Sequence, residues 1–335
     1  MTDTFTIAEI GQAHDGSLGI LHSYIDALSS TGVDAVKFQM HIAEAESSSF
    51  EEFRVNFSYE DVTRYDYWKR MEFTFDQWLL IKKHCDDVGL EFICSPFSCL
   101  AVDWLEEIGV TRYKIGSGEV ENLLMLEKIA KTGKDIILSS GMSSFTEIGD
   151  TISFLEEFGN NLIVLQYTTK YPTQAQDIEL NTISEITERY GVASGLSDHS
   201  GKVYPLLAAT ALGAKVIEFH VVFDRQMFGP DSTSSLLISE VKSLVEGVKF
   251  INECARSDVN RSTANSFEKL KNIFGKSLAV NKNLKKGDIL TLDDLESKKP
   301  LSIGISAKDY RKVIGKKVSR NMRQWDFIKK EDILE

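Results

Sequence analysis

At 335 residues the chain is too long for one small domain and fits a barrel-sized domain with a smaller companion. Its net charge of −12 excludes a general nucleic-acid binder, and it shows neither a membrane-spanning apolar run nor a basic-then-apolar leader. Cys85, Cys94, Cys99 and Cys254 form no CxxC pair and read as reduced thiols, so a cytoplasmic protein without membrane or nucleic-acid partners is expected.

From the N-terminus to about residue 256, short β-rich runs alternate with longer amphipathic stretches. Strands are predicted at FTIAEIG (5–11), AVKFQM (35–40), EFICSPF (91–97) and RYKIGSG (112–118). Four more follow at DIILSSG (135–141), NLIVLQYT (161–168), VASGLSDH (192–199) and KVIEFHVV (215–222). Between them, segments such as FDQWLLIKKHCDDVG and YPLLAATALG read as helices closing on Gly. Eight such units predict a (β/α)₈ TIM barrel over 1–256, although a doubly wound sheet uses similar units. The barrel is favoured because each run starts apolar and ends on a polar group, and barrel strand ends converge on one rim. Those ends carry Glu9, Lys37, Gln39, Ser95, Lys114 and Ser117, then Ser139, Thr168, Thr169, Ser197, His199 and His220.

The stretch from His41 to about Phe75 breaks the rhythm with an acidic run and then FSYEDVTRYDYWKRMEF. It reads either as a partly structured wall of a sugar pocket or as a packing or oligomer surface. Residues 257–272 read as a linker, and 273–335 as a compact module of short strands and loops, rich in lysine against the acidic bulk.

Lys37, Lys114, Ser95, Ser117 and Ser139 suit a cradle for phosphate or carboxylate, since ammonium groups supply charge and hydroxyls supply directional donors. A Schiff base is the alternative chemistry for such a lysine, and the residues alone leave it open. His199 and His220, on neighbouring strand ends, suit a divalent metal with open positions, with Asp198 or Glu218 as support behind them. His14 and His41 stand just past the first two strands and are candidate substrate contacts, whereas His22 and His84 read as structural or surface residues. Glu9, Glu119 and Asp231 read either as ion-pair partners of the lysines or as acid–base and sugar-binding groups.

The ordered segments IAEIGQAHDGSLG, VKFQMH, ICSPFS, YKIGSGE, IILSSGM, YTTKYPT, GLSDHS, IEFHV and GPD resemble the sialic acid synthase family, which includes N-acetylneuraminate, legionaminic and pseudaminic acid synthases. SLAVNKNLKKGDIL and IGKKV resemble the antifreeze-like (SAF) domain that follows the barrel in that family. The resemblance implies that phosphoenolpyruvate is held by Lys37, Ser95, Lys114, Ser117, Ser139 and Ser197, with Thr169 where the family often has Asn or Ser. It implies manganese or magnesium on His199 and His220, Glu9 and Glu119 near the reacting carbons, and Gln39, Tyr171 and Asp231 near the sugar. The implied reaction joins C3 of phosphoenolpyruvate to the open-chain aldehyde of an N-acylated hexosamine, such as N-acetylmannosamine or a 2,4-diacetamido-hexose. Water then adds at C2 and phosphate leaves by C–O cleavage, giving a nonulosonic acid. A domain-swapped homodimer is also implied, each SAF domain covering the partner's barrel mouth.

Besides Thr169, the chain departs from the pattern in three places. Ala13-His14-Asp15-Gly16 replaces an Asn-His-Asn-Gly-like stretch, and the loop around Tyr65, Trp68 and Arg70 differs from the commonest neuraminate synthases. Lys299 stands where an arginine that grips the acyl group or sugar is expected, and lacks its planar fork. Two rivals are another phosphoenolpyruvate-dependent 3-deoxy-2-keto acid synthase and a non-catalytic sugar-binding homologue. GLSDHS with the SAF tail argues against the first, and the intact Lys37, Lys114, His199 and His220 argue against the second.

Overall fold

The computed structural model describes residues 3–53, 57–256 and 267–334. The chain divides into two compact units, Met1–Ser257 and Asp258–Glu335.

The first unit holds β1 (Phe5–Glu9), β2 (Ala35–Met40), β3 (Glu91–Pro96), β4 (Arg112–Ile115), β5 (Asp135–Ser139), β6 (Leu162–Tyr167), β7 (Ala193–Asp198) and β8 (Val216–Val222). Each pairs in parallel with the next, and β1 pairs with β8, Phe5 opposite Val216 and Glu9 opposite His220. This is a closed eight-stranded barrel, and the doubly wound alternative falls away. Helices cover the outer face, so the strands are buried on both sides and read as near-continuous apolar runs. The predicted fourth strand overran: pairing ends at Ile115, and Ser117–Glu119 form a 3₁₀ turn, since the glycines of IGSG weaken a strand.

Inside the barrel, Ile7, Ala35, Ile93, Ile137, Leu165 and Val216 pack into an apolar plug. Side chains two residues apart on a strand share a face. Two residues beyond the plug therefore stand Glu9, Lys37, Ser95, Ser139, Tyr167 and Glu218. The period-2 pattern thus converts an apolar floor into a polar layer directly above it.

Around the outside, α1 (Leu18–Ser29) starts at Ser17, whose side chain accepts from Ile20 N, and buries Leu21, Tyr24, Ile25 and Leu28 at helical spacing. After β2 the chain makes its excursion through α2 (Ala43–Glu46) and α3 (Arg64–Met71) before α4 (Phe75–Asp87). Capping boxes at Thr63 and Thr74 fix the starts of α3 and α4. Ala43, Tyr67, Trp68 and Met71 form a small core of their own, with Phe53, Phe57 and Tyr65 against it. Arg70 ties this excursion to the loop after β1. Its Nε and NH2 donate to Asp61 at 2.8–3.1 Å, and NH1 donates to Asp15 at 2.6 Å.

The second unit has its own core of Leu278, Val280, Leu284, Leu290, Val313, Val318, Met322 and Ile328. Ser277–Val280 pairs antiparallel with Leu295–Lys298, and Lys317–Val318 with Ile333–Leu334. A helix, Glu268–Phe274, occupies part of the span read as linker, because seven residues are too few to show a helical period. The rest of that linker, 257–266, lies outside the described residues. Among the described residues, no helix is long and apolar enough to cross a membrane.

Candidate functional site

The polar layer above the plug is organised around one carboxylate. Glu218 Oε1 lies 3.2 Å from Lys114 Nζ and 3.8 Å from Lys37 Nζ, and accepts a hydrogen bond from Ser197 Oγ at 3.0 Å. Lys114 Nζ also donates to Ser139 Oγ at 2.8 Å, and Lys37 Nζ to Ser95 Oγ at 3.4 Å. Lys37 is further ion-paired with Glu9. All of these side chains are buried. Burial works to lower both ammonium groups, but the two part company. Glu218 and Glu9 outweigh burial at Lys37 and hold it above its usual value, whereas burial prevails at Lys114 and lowers it. Burial likewise works to raise Glu218, yet Lys114 and Lys37 hold its carboxyl below the ordinary range.

This corrects the reading of Glu218 and Asp198 as props for the histidines. Glu218 is the shared counter-ion of the lysines, and Asp198 accepts from Ser200 N at 3.1 Å and Ser200 Oγ at 2.7 Å. Neither carboxylate hydrogen-bonds an imidazole.

His199 and His220 lie side by side, ring centroids 4.9 Å apart, with Tyr167 and Tyr171 set edge-on to His199 at 4.7 Å each. Burial first, then His220 and the two lysines, push His199 well below its usual value, which keeps the ring neutral with a free lone pair. Among the described residues its buried Nδ1 has no hydrogen-bond partner. Close approach to His220 explains Gly11, at φ +54°, where a Cβ would come within 3.0 Å of the ring. No cluster of three or more His, Cys, Asp or Glu among the described residues is arranged to hold a metal. The pair therefore fits an ion that takes only two protein nitrogens and completes its shell from water and substrate.

A cavity of about 450 Å³ opens beside these groups. Of the predicted site residues, Gln39, Ser117, Glu119, Thr169, Tyr171, His220 and Asp231 line it. Gln39 is held at both ends of its amide: Nε2 donates to Glu9 at 2.9 Å, and Oε1 accepts from Gln12 Nε2 at 3.0 Å. Glu119 accepts from Asn122 at 2.7 Å, and burial raises its carboxyl. The turn carrying Ser117 fits only because Gly141, at φ +52°, has no Cβ, which would fall 2.0 Å from that of Ser117. Lys299 lies in the second unit, its ammonium 5.2 Å from the ring of Phe274.

The remaining histidines separate. His41 lines the cavity, stacked between Trp68 at 3.8 Å and Phe97 at 4.5 Å, with Nδ1 2.6 Å from Glu46. His14 does not line it. Its Nδ1 accepts from Gly16 N at 3.0 Å and its ring packs on Phe73, so it shapes a turn. His22 and His84 pair through their Nδ1 atoms at 2.8 Å, away from the barrel mouth. Sequence reasoning did not single out Gln12 as a lining residue, whereas Glu46, Glu51, Arg64 and Tyr67 fall in the stretch read as either a pocket wall or a packing surface, and they line the cavity.

Residues 24–260 match the NeuB family, and residues 275–334 match the SAF domain. The chain is similar to the N,N'-diacetyllegionaminic acid synthase of Campylobacter jejuni, 33% identical over 98% of this chain and 100% of that one. It is similar to the N-acetylneuraminate-9-phosphate synthase of Homo sapiens, 32% identical over 98% of this chain and 92% of that one. In structure it is similar to the N-acetylneuraminic acid synthetase of Leptospira borgpetersenii in complex with citrate. The TM-score is 0.71 at 29% identity, covering 81% of this chain and 91% of that chain.

Proposed function

The chain belongs to the NeuB family, and on that premise we propose that it is a nonulosonic acid synthase that condenses phosphoenolpyruvate with an open-chain N-acylated hexosamine, releasing phosphate. The observation that carries this reading is the pair of buried lysines sharing Glu218, each on a serine hydroxyl, beside a cavity walled by carboxylates, amides and hydroxyls. Two converging ammonium groups and three hydroxyls, those of Ser95, Ser139 and Ser197, suit the phosphate and carboxylate of phosphoenolpyruvate, and Ser117 borders the same site. Thr169, Tyr171, Gln39 and Asp231 would bind the sugar on the cavity side.

C3 of phosphoenolpyruvate forms a bond to the aldehyde carbon, whose oxygen takes up a proton. Glu119, raised by burial, is suited to supply that proton from the cavity wall. Water adds at C2 and gives up a proton, for which Glu9 is the candidate acceptor. The bond between C2 and the phosphate oxygen then breaks as the C2 hydroxyl passes its proton to the departing phosphate, leaving a ketone and hydrogen phosphate, and Lys37 and Lys114 stabilise the departing charge. Mn²⁺ or Mg²⁺, held by His199 and His220, would polarise the aldehyde as a Lewis acid when bound. Phosphoenolpyruvate supply would place the reaction in the cytoplasm. We also propose a homodimer in which the second unit brings Lys299 to the partner's barrel.

The test is phosphate release and product mass with phosphoenolpyruvate, Mn²⁺ and a panel of N-acetylmannosamine and 2,4-diacetamido-hexoses. A nine-carbon 2-keto acid is expected. Turnover only with erythrose or arabinose phosphates would overturn the reading in favour of another 3-deoxy-2-keto acid synthase. No turnover with any aldose would leave the sugar-binding homologue.

A further inference from the structure

We propose that Arg64 is the residue that recognises the acceptor's N-acyl group, its guanidinium donating to the acyl carbonyl while the aromatic wall beneath receives the acyl carbon. This rests on the synthase reading and names which part of the acceptor that reading leaves unassigned.

Arg64 begins α3 and lines the cavity. Its guanidinium lies over Trp68 at 4.5 Å from the ring centroid, with Phe53 and Tyr67 each at 5.8 Å. Stacking of this kind holds a planar cation flat and leaves its edge free to donate. Among the described residues its one ion pair is loose, Nε to Glu51 Oε1 at 3.4 Å, and that buried Nε makes no hydrogen bond. Glu51 is already committed elsewhere, accepting from Trp68 Nε1 at 3.1–3.2 Å. No described residue hydrogen-bonds the terminal amino groups of Arg64. A half-buried fork with unengaged donors beside a ligand-sized cavity is a recognition element awaiting an acceptor atom.

Two ligand groups could supply that atom, a neutral carbonyl or an anionic phosphate. Charge decides between them. The same cavity is lined by Glu46, Glu51, Glu119 and Asp231, and no described lysine lines it. A phosphate brought to Arg64 would face these carboxylates, whereas a carbonyl meets only the guanidinium. The surroundings fit the rest of an acyl group as well, because the cavity next to the fork is bordered by Phe57 and by the edges of the largely buried Tyr67 and Trp68. Arg64 would thus serve from the barrel side, where Lys299 in the second unit lacks a planar fork.

The test pairs direct binding with kinetics, for the wild type and Arg64→Gln. Binding of N-acetylmannosamine, a 2,4-diacetamido-hexose, mannose and N-acetylmannosamine 6-phosphate is followed by calorimetry in the presence of phosphoenolpyruvate, and turnover is read separately. The wild type is expected to bind the acylated neutral sugars at least tenfold tighter than mannose or the phosphate. Arg64→Gln should weaken the acylated sugars by roughly 10–100-fold, leave mannose within twofold, and leave the KM for phosphoenolpyruvate unchanged. Equal losses for all sugars would make Arg64 a structural part of the wall and overturn the proposal. So would tightest binding of the phosphate with greatest dependence on Arg64, or failure of the wild type to prefer acylated sugars. Acyl-selective binding without turnover would instead reject the synthase reading while sustaining the role of Arg64.

Discussion

Glu218 binds two lysines and one serine through a single oxygen, Oε1, while its buried Oε2 has no hydrogen-bond partner among the described residues. Removing one partner of a buried pair leaves the other uncompensated, at a cost of about 3–5 kcal/mol. Lys114→Met should therefore lower the melting temperature and also cut phosphate release by at least ~10²-fold. Near-normal turnover would reject the cradle. His220→Ala should abolish phosphate release with little change in melting temperature, since no described residue hydrogen-bonds that ring; full activity would reject the metal site. His14 makes a different prediction. Burial, with His41 and Arg70 nearby, pushes its imidazole down from 6.5 to about 3. It folds neutral, so its contribution is complete above the unfolded value and drains away as pH falls toward the folded one. Below pH 6.5 the loss is about 1.4 kcal/mol per unit. His14→Asn, which keeps an acceptor for Gly16 N, should flatten the fall in urea midpoint between pH 6.5 and 4.5; an unchanged slope would count against a neutral His14. At this scale, the lysines, serines and histidines were legible because a polar residue ending an apolar strand has few other reasons to be there. Glu218 was misread because a strand pattern tells which face a side chain takes but not which of several neighbours it will meet.

Element by element, the barrel was written in period and punctuation, and its eight strands fall where the apolar runs do. The wall formed by α3 was legible only as one of two alternatives, pocket wall or packing surface, because its meaning arises from contacts between distant segments. Arg70 shows why. Its fork grips Asp61 on the excursion and Asp15 in the loop after β1, and Gly16 has to be glycine because a Cβ there would lie 2.5 Å from Arg70 O. A lysine would keep the charge but reach only one partner at a time. Arg70→Lys is expected to raise the KM for the sugar roughly three- to tenfold, a loss of about 1 kcal/mol of wall positioning. The KM for phosphoenolpyruvate should stay put. A rise in both constants together would mean that the excursion supports the whole barrel rather than the sugar side alone.

For the molecule as a whole, the two units each have a separate hydrophobic core. The change in charge and periodicity made a division visible in the sequence, while the helix Glu268–Phe274 was hidden by its shortness. The proposed exchange of second units between protomers has a sharp test. Lys114→Ala and Lys299→Ala homodimers should each be impaired, and mixing them under conditions that allow subunit exchange should restore part of the activity. Only a site assembled from two chains can be repaired in this way, so an absence of recovery after verified exchange would reject the shared site.

The pairing of β1 with β8 closes the ring through contacts such as Phe5 with Val216. During synthesis, β1, made before the other seven barrel strands, is therefore among the last of them to have both edges paired. Until Val216–Val222 is made, the edge of β1 that will face it is an open template for any other extended chain. Long-range closure of this kind slows folding and prolongs exposure to aggregation. Yield in a foreign host should accordingly depend on how quickly the ribosome reaches the eighth strand, and rare codons placed before it should cost more soluble protein than the same codons placed in the second unit.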